Sequence, residues 1–283
     1  MNNEEQIAYW NGDAGRKWAQ RDAMMSRMLA PVADALMNHA AVDSARAVLD
    51  VGCGGGSETL MLAKRLGPEA CVLGVDVSAP LLDVAREELA RLGDAGKGVA
   101  FVEADASRHD FGDARFDLLF SRFGVMFFDD ATAAFTHLRG ALEPGGRLAF
   151  ACWQALANNP WTALPLKAAL SILPPPPTPK PGSPGPFAFA DARYVETLLS
   201  DAGWQNIAVT PHEVSMDWEG SGGFEATARE LVNTGPVGRL LVDVDENTRE
   251  AVYAAAEEIL APYYQNMQLS LPGAVWLVTA ENP

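Results

Sequence analysis

The chain has 283 residues, enough for one large domain or a domain with an appended cap. Apolar residues make up 48% and charged residues 20%, which excludes a largely disordered chain, and no apolar run reaches the ~18 residues of a membrane-spanning helix. Acids outnumber bases 37 to 21, a formal charge of −16, so a nucleic acid or an anionic membrane surface is not an expected partner. The polar, acidic start Met1-Asn2-Asn3-Glu4-Glu5 reads as neither signal nor transit peptide. Cys53, Cys71 and Cys152 are odd in number and widely spaced, fitting neither a disulfide framework nor a zinc site. A reducing cytoplasm is the expected compartment.

The N-terminal segment is amphipathic and holds Trp10, Trp18 and Arg21. Its tryptophans read either as packing anchors or as part of a lid. Short apolar runs then alternate with helical patterns. Strands are predicted at 48–51, 71–75, 99–102, 116–120 and 147–151. Helices are predicted over 57–66, over 80–92 with Ser78 as N-cap, and over 131–142, the last stopped by Pro144-Gly145-Gly146. Continuous apolar strands between helices imply an α/β fold with a doubly wound parallel sheet. Residues 174–186 form a proline-rich tether. Beyond it come a helix at 191–202, a strand at 205–209, helices near 224–233 and 248–261, and a last strand at 274–279.

The most informative stretch is Val48-Leu49-Asp50-Val51-Gly52-Cys53-Gly54-Gly55-Gly56-Ser57, a strand running through glycines into a helix. Such a loop lies where open α/β sheets bind nucleotides. A dinucleotide fingerprint needs G-x-G-x-x-G, but the sixth position from Gly52 is Ser57 and from Gly54 it is Thr59. No Lys-Ser or Lys-Thr pair follows, so the loop is not a P-loop. Asp76 ends the second strand, where a carboxylate accepts from ribose hydroxyls. Glu103 and Asp105 follow the third strand, where a carboxylate can accept from an adenine amino group. Acids without a basic phosphate clamp suit an adenosine ligand that lacks phosphates and carries positive charge.

These segments, with Leu142-Glu143-Pro144-Gly145-Gly146-Arg147-Leu148, resemble the class I S-adenosylmethionine-dependent methyltransferases. Ser121-Arg122-Phe123-Gly124-Val125-Met126-Phe127-Phe128, Trp10-Asn11-Gly12, Pro184-Gly185-Pro186-Phe187 and Leu271-Pro272-Gly273-Ala274-Val275-Trp276-Leu277 resemble the small-molecule group related to the ubiquinone/menaquinone C-methyltransferases. The resemblance implies a Rossmann-like sheet of seven strands, the last inserted antiparallel, with a helical cap. It implies S-adenosylmethionine as cofactor and S-adenosylhomocysteine as product. Gly52, Cys53, Gly54 and Gly56 would lie along the cofactor, with Asp50 orienting the loop and the ammonium group. Asp76 would bind the ribose and Val77 would pack near adenine. Asp105 and Ala106 would address the adenine edge, and Ser121 would border the sulfonium.

The expected organisation is a helical lid at 1–45, a cofactor-binding core at 46–152, a proline-rich cap insertion at 153–190, and a C-terminal part of the sheet at 191–283 with a helical insertion near 220–265. Trp10, Arg122, Phe123, Met126 and Trp153 are the candidates for the acceptor pocket. Of the four histidines, His212 is best placed for a general base, though no motif demands one; His137 is expected to face outward. No metal is expected, and Asp129-Asp130 reads as a helix N-terminus. The expected reaction is methyl transfer to an oxygen, nitrogen or carbon of a small, largely apolar acceptor. The alternatives are a nicotinamide-dependent oxidoreductase and a cofactor-binding protein of this fold that transfers no methyl group.

Overall fold

The computed structural model describes residues 3–113, 115–177, 182–218 and 222–283. Residues 178–181 of the proline-rich tether lie outside the described residues. The chain forms two compact units, one of residues 1–153, 182–212 and 275–283, the other of residues 154–181 and 213–274.

The first unit opens with α1 (Asn3–Asn11) and α2 (Asp13–His39). α2 buries Met25, Met28, Leu29, Val32, Ala33, Leu36 and Met37, the i, i+3, i+4 spacing of one apolar stripe. The sheet follows: β1 (Ala47–Val51), α3 (Ser57–Leu66), β2 (Cys71–Asp76), α4 (Ala79–Leu92), β3 (Val99–Glu103), β4 (Phe116–Arg122), α5 (Ala131–Arg139) and β5 (Leu142–Trp153). Then come α7 (Ala192–Asp201), β6 (Gln205–Trp218) and β8 (Gln268–Glu281), whose remote ends run on into the second unit. The strand order is β3-β2-β1-β4-β5-β8-β6. β1 to β5 pair in parallel, and β8 pairs antiparallel with β5 from Val275–Trp153 to Glu281–Arg147. Val48, Leu49, Leu118, Leu119 and Phe120 are fully buried, as a sheet covered on both faces requires.

The second unit holds α6 (Pro160–Leu170), α8 (Gly223–Thr234), α9 (Val237–Leu240), α10 (Glu246–Leu260) and β7 (Tyr264–Gln265), which pairs with β8 and adds an eighth strand to the sheet. α10 packs on α6 and α8, burying Val252, Tyr253, Ala256 and Leu260. Arg229 on α8 is held by Glu250 at 2.8 and 2.9 Å and lies over the Tyr253 ring.

Four local expectations are corrected. The helix predicted over 131–142 ends at Arg139, and residues 143–146 form a bulge inside β5 where the register shifts between Phe116 and Leu118. Asn282 closes that bulge, donating to the Leu142 and Glu143 carbonyls at 3.3 and 3.0 Å. β6 and β8 run well past the predicted 205–209 and 274–279; β8 takes up Pro272 at an exposed position, where its missing N–H costs least. Ser78 precedes α4, but its hydroxyl donates to the Trp10 carbonyl at 2.8 Å. Asn11 supplies the cap instead, accepting from Ala79 N at 2.9 Å and donating to the Val77 carbonyl at 2.7 Å. His137, expected to face outward, is half-buried and bonded to the His109 carbonyl at 2.8 Å.

Replacing Asn11→Ala removes both bonds. We expect hydrogen exchange in α1 and the first turn of α4 to speed up by the equivalent of ~1 kcal/mol, the usual worth of a helix cap. Unchanged protection of those amides would refute the capping role.

Candidate functional site

β1 lies between β2 and β4, so the chain leaves it in one direction to build β2 and β3 and in the other to build β4 and β5. A crevice opens at the carboxyl ends of such strands. Here it is floored by the glycine loop. Gly52 has φ +73°, and a Cβ on it would fall 2.6 Å from the Gly124 Cα, so the loops after β1 and β4 touch backbone to backbone. Ser121 is fully buried and ties the same ends together, donating to the Val51 carbonyl at 2.7 Å and accepting from Gly124 N at 3.2 Å.

Gly54 differs from Gly52. Its φ is +53°, but a Cβ there would meet nothing within 4 Å, so this bare backbone faces open space. Four of the loop's N–H groups are spent internally. Gly52 and Cys53 both donate to the Val75 carbonyl at 2.8 and 3.2 Å, Gly56 donates to Cys53 at 2.9 Å, and Gly54 donates to Asp76 Oδ2 at 2.8 Å. A phosphate cradle needs such donors free.

Charge points the same way. The Asp22 carboxylate, on α2, sits where a side chain on Gly55 would go. Asp50 is 1% exposed and accepts from Thr59 Oγ1 at 2.6 Å. Glu58 is buried and pairs with Arg122 through contacts of 2.7 and 2.9 Å. Burial pushes Asp50 up to about 7, resisted by the Thr59 hydrogen bond and helped by Glu58. Burial also raises Asp22, with Glu58 adding to the rise and Arg122 opposing it. Burial raises Asp76, opposed by the N–H groups of Ser78 and Gly54. Carboxylates thus crowd the spot where a dinucleotide would place its pyrophosphate, and they favour a cation.

The carboxylates after β2 and β3 are differently engaged. Asp76 accepts from Gly54 N and Ser78 N, both at 2.8 Å. A carboxylate has about four acceptor positions, so roughly two remain. Asp105 accepts from Ser107 N (3.0 Å), Ser107 Oγ (2.6 Å), Asn3 Nδ2 (2.9 Å) and Arg108 Nε (2.6 Å), which fills it. Burial pulls Asp105 upward, but the bonds from Ser107 and Arg108 prevail and hold it below the ordinary value. Val77 is half-buried and Ala106 buried beside these two acids.

Phe123 follows β4 with φ +67°, a strained conformation for a bulky residue. Its ring stacks on Trp153 at 4.3 Å and 8°, with the Arg122 guanidinium 5.8 Å from its centroid. Trp153 and Met126 are buried; Trp10 and Phe123 are half-buried. Trp10 packs edge-on against Phe127 and Trp18 at 5.7 and 6.0 Å. Asp130 caps α5, accepting from Ala133 N at 2.9 Å, the helix-terminus role expected of Asp129-Asp130. His212 lies on β6, with β8, β5 and β4 between it and β1, so the fold does not bring it to this crevice.

Residues 48–146 match a family model described as a methyltransferase domain. That stretch of the chain is similar to a methyltransferase domain. Among curated relatives, the aklanonic acid methyltransferase of a Streptomyces species is 33% identical over 103 residues, 36% of this chain and 46% of that protein. The demethylmenaquinone methyltransferase of Thermus thermophilus is 37% identical over 135 residues, 46% of this chain and 60% of that protein. The matches thus span about half the length of these relatives. A solved structure described as a putative methyltransferase from Bacillus halodurans superposes with a TM-score of 0.55 at 20% identity, covering 89% of this chain and 98% of that one. The matched stretch runs from β1 into the start of β5, and α1 and α2 lie outside it.

The sequence reading assigned no role to Asp22, Glu58, Thr59, Asn3 or Asn11, whose side chains tie the residues around the crevice. Thr59 and Glu58 sit in the first turns of α3 and had a signal in their nearness to the loop. Asp22 stands four residues after Trp18 and four before Ser26, whose hydroxyl meets Ser57 Oγ at 2.6 Å, so helical spacing from Trp18 would have flagged it.

Two outcomes follow for the free protein. Gly54→Ala loses only the ~1–2 kcal/mol of a left-handed alanine, whereas Gly52→Ala fails to reach the native state; equal losses in denaturant titrations would refute the contrast. Asp50 is protonated in the native chain and ionised in the unfolded one between about pH 4 and 7, so its contribution makes stability fall as pH rises through that window and level off above it. Asp50→Asn removes the term and keeps an oxygen for Thr59. Its stability relative to the native sequence should climb from pH 4 to 7 in urea titrations, and a flat difference would rule out the perturbed carboxyl.

Proposed function

We propose that this chain binds S-adenosylmethionine and transfers its methyl group to an oxygen, nitrogen or carbon of a small, largely apolar acceptor. The observation that carries the reading is the pairing of an open Gly54 with an Asp76 carboxylate that keeps roughly two acceptor positions, enough for two ribose hydroxyls. The residues fit that cofactor in two further ways. The carboxylates around the loop suit a ligand with a cationic sulfonium and an ammonium group. The N–H groups of Gly52, Cys53, Gly54 and Gly56 are spent internally and leave a pyrophosphate fewer donors, which weighs against the nicotinamide reading.

Each residue has a task in this reading. Gly52, Cys53 and Gly54 offer bare backbone along the methionine portion, and Asp50 orients the loop through Thr59 and contributes charge. Asp76 holds the ribose, with Val77 and Ala106 as apolar walls for adenine. Asp105 holds the turn after β3 and, through Asn3, the start of α1. Ser121 fixes the floor rather than touching the reacting methyl, since its hydroxyl is spent on Val51. Trp10 and Phe123 present ring surface to the acceptor, backed by the buried Trp153 and Met126, and Arg122 steadies Glu58 and Phe123. α1 and α2 act as a lid. The bound cofactor supplies a methyl group on a cationic sulfur that leaves as a neutral thioether. The protein's share is to align the acceptor and exclude water, which is where the rate advantage of such positioning arises.

The two curated relatives are named for aklanonic acid and demethylmenaquinone, which supports a small-molecule acceptor. The charge of −16 weighs against nucleic-acid and anionic-membrane partners, and the free cysteines Cys53, Cys71 and Cys152 support a reducing cytoplasm. Calorimetry should show tight S-adenosylhomocysteine binding and none of a nicotinamide dinucleotide, and mass analysis should show one methyl gained by an acceptor. Asp76→Ala should weaken S-adenosylhomocysteine by ~1–3 kcal/mol as two hydroxyls lose their acceptor. Full affinity in that variant removes Asp76 from the ribose site.

A further inference from the structure

Asp105 follows β3, where an acid can accept from an adenine amino group, yet its acceptor positions are all taken. Oδ1 accepts from Ser107 N at 3.0 Å and from Ser107 Oγ at 2.6 Å. Oδ2 accepts from Arg108 Nε at 2.6 Å and from Asn3 Nδ2 at 2.9 Å. Ser107 and Arg108 are neighbours in the chain and shape the turn itself. Asn3 comes from 102 positions away, at the start of α1.

The Asn3 carboxamide is engaged on both of its polar atoms. Nδ2 also donates to Ser107 Oγ at 3.0 Å, and Oδ1 accepts from Asp129 N at 3.2 Å. An amide carries an NH2 donor and an acceptor on neighbouring atoms. The amino edge of adenine carries the same pair, its exocyclic NH2 beside a ring nitrogen. The carboxylate expected to meet the base is therefore already bound to a group with the base's donor and acceptor pattern. That group is also detachable. Asn3 is half-buried, and with Ser107, Arg108 and Asp129 it lines an open cavity of about 420 Å³. Trp10 and Asn11 hold the other end of α1, against Phe127, Val77 and Ala79, so freeing Asn3 loosens the first turn without lifting the helix.

We propose that Asn3 is an internal stand-in for adenine: its Nδ2 holds the Asp105 Oδ2 position that the adenine amino group takes when S-adenosylmethionine or S-adenosylhomocysteine binds, so the base and α1 compete for one acceptor. This inference rests on the proposed cofactor. Release of Asn3 opens one position on Asp105 and leaves its turn intact, because Ser107 and Arg108 stay bound. The contact is self-inhibiting. The ligand engages Asp105 in the fraction of molecules whose Asn3 is released, and its apparent affinity falls by that fraction. The same competition couples the cofactor to α1, whose first turn is untied while adenine holds Asp105.

Asn3→Ala removes the competitor and keeps Asp105. Calorimetry should show the variant binding S-adenosylhomocysteine roughly 3- to 10-fold more tightly than the native sequence does, the factor set by a contact of about one net hydrogen bond. An S-adenosylhomocysteine analogue dimethylated on the exocyclic amine has no hydrogen to donate and should bind both proteins alike. Asn3→Leu, close to asparagine in size but without a donor, should repeat the gain and so separate the lost bond from lost bulk.

Unchanged or weaker binding of S-adenosylhomocysteine in Asn3→Ala would overturn the inference. So would an equal gain for the dimethylated analogue, or a gain that Asn3→Leu lacks, since either makes α1 an obstruction by bulk. If neither the native chain nor the variants bind S-adenosylhomocysteine, the cofactor reading itself falls. The two failures are distinct, because a competitor worth roughly 10-fold does not hide binding from a titration at higher concentration.

Discussion

Backbone from two strands meets at the mouth of β1 and β4 with no side chain between them. A Cβ on Gly52 would lie 2.6 Å from Gly124 Cα, and one on Gly124 would run into the Val51 carbonyl. That contact sets the rest of the crevice. It brings the Ser121 hydroxyl onto the Val51 carbonyl, and Phe123, caught between Arg122 and Gly124, takes φ +67°. A left-handed phenylalanine costs on the order of 1–3 kcal/mol. Its stacking on Trp153 and its N–H bond to the Ala151 carbonyl at 3.0 Å offset that strain. With the loop turned this way, the Gly54 backbone is what faces outward.

Electrostatics then narrows the ligand. Asp22, Asp50, Glu58 and Asp76 influence one another across the loop, and Arg122 is the cation that answers them. Arg122 is itself committed to Glu58. A phosphate would face carboxylates and few free N–H groups. A cation would offset the burial, and the smaller repulsion from Glu58 and Asp76, that together push Asp50 up to about 7. Sequence spacing separates this loop from a dinucleotide fingerprint by counting glycines; the structure adds a physical reason, because four of its N–H groups are taken by Val75, Cys53 and Asp76.

The sheet was legible because its signals are local and redundant. β1 to β5 are short apolar runs between amphipathic helices, and the seam of α2 from Met25 to Met37 can be counted from spacing alone. The bulge at residues 143–146 was not legible, since Pro-Gly-Gly reads as a turn and only pairing with β4 and closure by Asn282 make it part of a strand. The site was legible where backbone conformation dictates glycine, and where an acid ends a strand. It was hidden where the partner is distant in sequence. Nothing near Ser78 says that its hydroxyl serves Trp10, 68 positions away, or that Asn11 caps its helix. Asp105 could be placed at the end of β3 from sequence, but not the donors that fill it, one of which comes from Asn3.

α1 and α2 cover the crevice by different physics. α2 is held by an apolar stripe with eight buried residues, including Gly15, so its detachment would expose much of the core. α1 buries Gln6 alone and is held at its ends by Asn3, Trp10 and Asn11. A segment with little buried apolar surface and solvent-reachable polar ties belongs to the low end of local stability. The boundary falls at Gly12, where the chain passes from a helix secured by side-chain hydrogen bonds to one secured by packing. On the α2 side of that boundary Asp22 lies over Gly55, so the carboxylate nearest the glycine loop is carried by the helix that packing secures.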